Sequence, residues 1–192
     1  MSSKDDDEAL IAAALNGSTF AWEKLVRRYE SRIYNHGLRL MGNPTDAMDL
    51  MQEVFLGVYR NLHRFRGDAK FSSWIFRIAH NKAVDLSRRK RLLATQYRND
   101  AAAGSDGLEP IASAHDEPDQ QLGIKQRNTR ISALLESLPL QQRLIVELKI
   151  FQSLTFDEIA QMQEISSNTA KTRFYGALKK LKMKTEETDV LP

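Results

Sequence analysis

Between Phe71 and Arg91 the chain reads FSSWIFRIAHNKAVDLSRRKR, with apolar residues recurring every three or four positions. That spacing commits the segment to an α-helix, because a turn of about 3.6 residues is what brings such positions to one face. Wound this way, Ile75, Ile78, Ala79, Ala83 and Leu86 form a core stripe. Trp74, Arg77, Asn81, Asp85 and Arg88 line a second face. An aromatic, hydrogen-bonding side chains and cations on one exposed stripe suit nucleic acid. Bases stack on aromatics, amides read base edges and cations neutralise phosphate. The bland alternative is an amphipathic helix with a solvated charged end.

The rest of the chain is organised around two basic regions. Arg88, Arg89, Lys90 and Arg91 form the first; Lys171, Arg173, Lys179, Lys180, Lys182 and Lys184 form the second, with no acid among residues 171–184. Between them, residues 99–121 hold no Lys or Arg, only Asp100, Asp106, Glu109, Asp116, Glu117 and Asp119. Small residues, Gly, Pro and acids without periodicity read there as a flexible acidic linker over residues 95–122. It divides the chain into domains at 1–94 and 123–192. The net charge of +3 is a weak pointer to nucleic acid by itself, and the segregation says more. No strand alternation or hairpin signal occurs, so the fold class is all-α.

The first domain reads as four helices. A short one around Glu8 to Leu15 stops at Asn16-Gly17, and a second runs from about Phe20 to Met41, with Trp22, Leu25, Val26, Tyr29, Ile33 and Leu40 as its stripe. A third follows Thr45 as N-cap, burying Ala47, Leu50, Met51, Val54, Phe55, Val58 and Leu62. Its opposite face carries Asp49, Gln52, Glu53, Leu56 and Arg60, an apolar anchor among charges, which suits docking to a basic partner protein or a solvated face. Arg66-Gly67-Asp68 then turns into the helix at Phe71. In the second domain, helices are expected over Gln126 to Ser137 and Leu140 to Ile150. Thr155-Phe156-Asp157-Glu158 is a capping box opening the next helix. After a turn at Glu164-Ile165, a last helix starts near Ser166 or Ser167 and buries Ala170, Phe174, Ala177, Leu178 and Leu181. Two helices joined by a short turn, the second basic outside, describe a helix-turn-helix with Lys171, Thr172 and Tyr175 placed for the major groove.

Several function classes are disfavoured. The chain has no cysteine, which removes disulfides and thiolate metal sites. No apolar run approaches the roughly 20 residues a membrane helix needs, and the acidic start MSSKDDDE is unlike a signal peptide, so a cytoplasmic protein without membrane insertion is expected. His36, His63, His80 and His115 lack metal-ligand spacing and read mostly as surface or boundary residues. A metal-dependent nuclease built on Asp46, Asp49 and Glu53 lacks a convergent His, and no phosphate loop or nucleophile elbow occurs. No cofactor or catalytic residue is therefore expected. A regulator that binds DNA alone would explain residues 155–182 but leave the Trp74 stripe and the Asp49 face without a role.

In order and spacing, four segments resemble the extracytoplasmic-function (ECF) sigma factors, group 4 of the sigma-70 family. They are Asp46 to Phe55; Phe65-Arg66-Gly67-Asp68 with Phe71 and Trp74; Arg77-Ile78-Ala79-His80-Asn81 through Arg91; and Leu138-Pro139 with Glu158-Ile159-Ala160 and Thr169 to Arg173. The resemblance covers about residues 9–92 and 125–183. It implies a bacterial initiation subunit that binds core RNA polymerase at the β′ clamp helices and β flap, recognises promoter DNA, and is held by an anti-sigma factor. It implies core-polymerase contacts at Asp46, Asp49, Gln52, Glu53 and Leu56. It implies −10 contacts at Arg66, Asp68, Lys70, Phe71, Trp74, Arg77, Asn81, Asp85, Arg88 and Arg89, and −35 contacts at Thr169, Lys171, Thr172, Arg173, Tyr175 and Lys179. The chain departs from the family at Glu164 and Asn168, where Gly is common, at Ala170, where Val is, and at Gly176, where Arg is frequent. These departures bear on −35 sequence preference, not on the fold.

Overall fold

The structure, a computed structural model, describes residues 3–101 and 131–189. Every regular element among them is a helix, as expected. The first group is α1 (Ser3–Leu15), α2 (Thr19–Met41), α3 (Pro44–Asn61), a short 3₁₀ turn (Leu62–Arg64) and α4 (Phe71–Ala101). The second is α5 (131–136), α6 (Leu140–Val146) running into a π-turn (Glu147–Phe151), α7 (Phe156–Gln163) and α8 (Ser167–Asp189). Residues 102–130, which hold most of the expected linker and the start of the expected helix at Gln126, lie outside the described residues. Residues 95–101, also read as linker, belong to α4.

Local chemistry sets the helix ends. Ser18 caps α2, its hydroxyl accepting from Ala21 N–H at 3.2 Å, and Gly42 ends it at φ 80 while its N–H bonds Leu38 O. The cap of α3 is Asn43, not Thr45: its Oδ1 accepts from Asp46 N–H at 2.8 Å, and Pro44 takes the first helical position. Proline fits there because that N–H has no helical partner to lose. Helix α1 starts earlier than expected, at Ser3, and is pinned through Asp7, which accepts from Arg28 Nη1 at 2.6 Å and from Tyr29 OH at 2.5 Å. Burial and that bond to Asp7 both push the Tyr29 phenol up.

Ile33, Leu50, Ile75 and Phe76, each fully buried, are the centre of the first domain. Helices α2 and α3 approach closely because position 37 is glycine: a Cβ there would lie 3.0 Å from the Cα of Ala47. In α4, Ile75, Ala79 and Ala83 are buried as expected, while Ile78 and Leu86 are half-buried. Phe71, Phe76 and His80 also turn inward.

The second domain packs Leu144, Ile145, Leu148, Ile159, Ala170 and Ala177. The capping box is complete, with Glu158 N–H donating to Thr155 Oγ1 at 3.2 Å and Thr155 N–H to Glu158 Oε2 at 2.7 Å. Glu164 closes α7 in the left-handed region at φ 55, the conformation that makes Gly usual in such a turn. Asn168 sits inside the first turn of α8, whose cap is Ser166 accepting from Thr169 N–H at 3.0 Å. Ala160 is buried on α7, which packs against α8.

Gly37→Ala is expected to destabilise the chain by about 1–3 kcal/mol through overpacking. Gly176→Ala, whose Cβ would meet only Gln142 Nε2 at 3.6 Å, is expected to be neutral or to stabilise. Urea denaturation of both variants checks the contrast, and equal effects would contradict it.

Candidate nucleic-acid interface

The outer face of α3 divides into two parts. Asp49 and Gln52 are exposed, with Leu56 at 42% and Met48 at 43% exposure beside them. Asp46 and Glu53 instead turn toward α4. Lys82 Nζ donates to Glu53 Oε2 at 2.7 Å, and Lys90 Nζ and Asn43 Nδ2 both donate to Asp46 Oδ2. The Lys82 hydrogen bond and charge hold the Glu53 carboxyl below its ordinary range.

Arg66, Gly67, Asp68, Ala69 and Lys70 are all exposed in the loop before α4. Phe71, expected beside DNA, is only 4% exposed. It is the floor of an aromatic cluster, with ring centroids 5.3 Å from Tyr29, 5.4 Å from Phe65 and 5.6 Å from Trp74. Trp74 is half-buried, leaning on Phe71 and Phe65. Further along, Arg77, Asn81, Arg88 and Arg89 are exposed on one side of α4, while half-buried Asp85 accepts from Arg88 Nη2 at 3.1 Å. The face is therefore cationic, with an aromatic at its N-terminal end.

On α8, Lys171, Thr172, Tyr175 and Lys179 are exposed, and Thr169 and Arg173 are half-buried. Thr169 is spent partly on the cap, its Oγ1 lying 2.8 Å from Ser166 Oγ, and Thr172 donates to Asn168 O at 2.9 Å. The Tyr175 ring packs edge-on against Phe174 at 5.5 Å, which steadies an otherwise exposed side chain. Gly176 leaves room for a side chain, so the cation missing there is not sterically excluded.

The two domains touch through a polar seam that sequence reasoning missed. Glu147, fully buried at the start of the π-turn, faces α2. Its carboxylate accepts from Arg39 Nε at 2.6 Å and Nη2 at 2.8 Å, from His36 Nδ1–H at 3.2 Å and from Gln152 Nε2 at 3.1 Å. Burial pushes the carboxyl up, but Arg39 and His36 outweigh it and hold it below the ordinary range. Around it, Arg32 Nη2 donates to Gln152 Oε1 at 2.9 Å and the Phe151 ring lies 4.0 Å from the Arg39 guanidinium. Arg143 Nη1 donates to Leu40 O at 2.5 Å, placing a cation at the carbonyl end of α2. At the other end of the seam, Ser73 Oγ donates to Glu158 Oε1 at 3.2 Å, and Ala69, Ser73, Trp74 and Arg77 share a cleft with Glu158, Gln161 and Met162.

Two of the histidines correct the sequence reading. His36 is fully buried and His80 is 6% exposed, whereas His63 is exposed and His115 lies outside the described residues. Their signal was available: His36 falls on the Ile33–Leu40 stripe, and Glu147 interrupts the apolar run LIVEL. No group of three or more His, Cys, Asp or Glu that could hold a metal occurs among the described residues, and no helix there is long and apolar enough to cross a membrane.

Residues 25–92 match the family model described as Sigma-70 region 2, and residues 128–181 match the one described as Sigma-70, region 4. The chain is 31% identical over 163 residues to the ECF RNA polymerase sigma factor SigW of Bacillus subtilis, spanning 83% of this chain and 86% of that one. Its fold is similar to that of CnrH solved with the cytosolic domain of CnrY, with TM-score 0.67, 23% identity and coverage of 95% of this chain and 99% of that one. It is also similar in fold to the sigma factor RpoE of Bartonella quintana solved with the anti-sigma factor NepR, with TM-score 0.62, 15% identity and coverage of 84% and 94%.

His80 gives a pH prediction. Burial, then the neighbouring His36, pushes its imidazole down from 6.5 to about 4, and its Nδ1 has no hydrogen-bond partner. Above pH 6.5 the ring is neutral in both folded and unfolded chains and adds no pH dependence. As pH falls from 6.5 toward 4 the unfolded chain takes the proton first, so stability is lost across that window. Denaturant melts between these limits are expected to show a shallower loss in His80→Leu than in the native chain; parallel curves would contradict the assignment.

Proposed function

The chain belongs to the ECF sigma factors of the sigma-70 family, and from that we propose a residue-level account of how it docks on core RNA polymerase and opens promoter DNA. It is an initiation factor and not an enzyme. The observation that carries the account is the separation of three exposed faces on three helices: acidic-apolar on α3, aromatic-cationic on α4 and cationic on α8.

The α3 face, with Asp49, Gln52 and Leu56 outward, docks on the β′ clamp helices, and the second domain reaches the β flap. Asp46 and Glu53 shape that face from behind, because α4 cations already hold them. The α8 face enters the major groove at the −35 element, where Lys171, Thr172, Arg173, Tyr175 and Lys179 meet bases and backbone and Thr169 fixes the helix start. The α4 face takes the −10 element. Arg88 and Arg89 follow the duplex backbone with Asp85 orienting Arg88, while Arg77, Asn81 and Trp74 lie along the separating strand. Arg66, Asp68 and Lys70 form the rim of a base-capturing loop, and Phe71 supports Trp74 from beneath. Flipping a base costs a few kcal/mol, least where the duplex is already opening, and capture by the loop with backbone neutralisation offsets that cost without ATP.

The acidic segment within residues 95–122 offers a polyanion to the channel that later carries RNA. Control by an anti-sigma factor is supported by the RpoE neighbour, whose structure holds the anti-sigma factor NepR. An initiation factor of this kind works where core RNA polymerase and promoter DNA are, the bacterial cytoplasm.

Charge reversal at Asp49 is expected to abolish co-purification with core polymerase, and adding reversal at Glu53 to change little more; retained binding would contradict the docking face. Trp74→Ala and Asn81→Ala are expected to reduce permanganate reactivity of −10 thymines more than closed-complex binding, and equal loss of both would reduce their role to backbone contact. Lys171→Ala and Tyr175→Ala are each expected to cost about 1–3 kcal/mol on a matched −35 sequence and little on a mismatched one. Uniform weakening across a promoter set would instead assign them to phosphate.

A further inference from the structure

Helix α8 contains a single glycine, Gly176, and it stands on the outer side of the helix. Wound at about 3.6 residues per turn, it falls beside exposed Thr172 and Lys179 and away from the buried stripe of Ala170, Phe174 and Ala177. Among the described residues, the one atom of another element within 4 Å of the place where its Cβ would be is Gln142 Nε2, at 3.6 Å. Gln142 belongs to α6, which packs along α8. Its side chain therefore reaches round the flank of α8 to the notch that the glycine leaves.

The two ends of this amide have different surroundings. Oε1 is buried and has no hydrogen-bond partner. Nε2 meets no acceptor among the described residues and is the open end of a half-buried side chain. The arrangement is costly twice over. A glycine inside a helix gives up more backbone freedom than alanine would, and a buried carbonyl without a donor loses its hydration. Packing requires neither, because alanine at 176 and an apolar side chain at 142 would fill the same space. What the arrangement achieves is a neutral donor beside Thr172 and Lys179. The adjacent Arg143 is not free to serve, since its Nη2 donates to Glu136 O at 2.9 Å and Leu138 O at 3.3 Å.

We propose that Gln142 is a −35 backbone contact: Gly176 opens a notch through which the Gln142 amide donates to a phosphate oxygen on the wall of the major groove. The contact rests on the reading of α8 as the −35 surface. A donor that comes round the side of a helix lying in the groove meets the sugar–phosphate wall before it meets base edges, and glutamine is an ordinary phosphate donor. Because the amide is neutral, it adds affinity without the counterion release that a cation at position 176 would bring.

The test uses the full chain assembled with core RNA polymerase, on a promoter duplex selected from a randomised library, with binding followed by fluorescence anisotropy between about 50 and 200 mM KCl. Gln142→Met keeps the size of the side chain and removes the orphaned carbonyl. It is expected to fold at least as stably as the native chain, and to weaken binding about three- to tenfold on every −35 sequence with the salt slope unchanged. Gln142→Glu is expected to bind more weakly still at low salt, with the deficit narrowing as salt rises, because its carboxylate would face phosphate. Adding Gly176→Arg to Gln142→Met is expected to restore binding and to steepen the log–log salt slope by about 0.9. Native binding by Gln142→Met or Gln142→Glu, or an unchanged slope with Gly176→Arg, would overturn the contact. A loss confined to one −35 sequence would make Gln142 a base reader and overturn the phosphate assignment. Lys171→Ala and Tyr175→Ala separate the two levels. If they weaken −35-dependent binding while the Gln142 variants do not, only this contact fails; if they too are without effect, the α8 reading fails with it.

Discussion

One buried carboxylate sets how the two halves of this chain meet. Removing a charge from water costs several kcal/mol, and Glu147 is fully buried. It remains ionised because Arg39 gives it two hydrogen bonds and His36 and Gln152 one each. Arg39 and His36 lie in the last two turns of α2, so α2 both supports the first domain and presents the socket for the second. The C-terminal end of α2 is also where Arg143 meets the Leu40 carbonyl. Together these place α7 over the start of α4.

Helix α4 carries two demands at once. Its inner side, with Ile75, Phe76, Ala79 and Ala83, belongs to the core. Its outer side is strongly basic, and like charges spaced along a helix repel one another. The acids of α3 relieve part of this, Glu53 taking Lys82 and Asp46 taking Lys90. Arg77, Arg88 and Arg89 stay exposed, the first at the cleft with α7 and the others farther along. The pairing thus sorts the cations of α4 into those that bind α3 and those left facing outward.

How much of this was legible followed from the range of each interaction. Periodicity located the helices, and the capping box at Thr155 and Glu158 was readable because both halves lie within one turn. The start of α3 was misplaced by two residues because Thr45 is a good cap in isolation, whereas Pro44 makes Asn43 the better one. Helix α4 continues past Arg91 because nothing there forbids it: Leu92, Leu93, Ala94 and Gln96 are good helix formers without an amphipathic stripe to announce them. The burial of His36 and Glu147 was legible, but their pairing was not. His36 falls on the buried stripe of α2 and Glu147 interrupts the run LIVEL, but the two are 111 residues apart, and no local rule pairs them. Phe71 was assigned to DNA from its resemblance alone, whereas packing against Tyr29 and Phe65 draws it inside.

The account stands or falls on whether this chain, added to core RNA polymerase, starts transcription at defined sites. Run-off transcription from a randomised promoter library tests that directly. The account predicts transcripts only when both chain and core enzyme are present, from templates enriched in one −35 and one −10 sequence at a constant spacing. Sequence-specific binding without transcripts, or enrichment of a single element recognised equally well without polymerase, would contradict it.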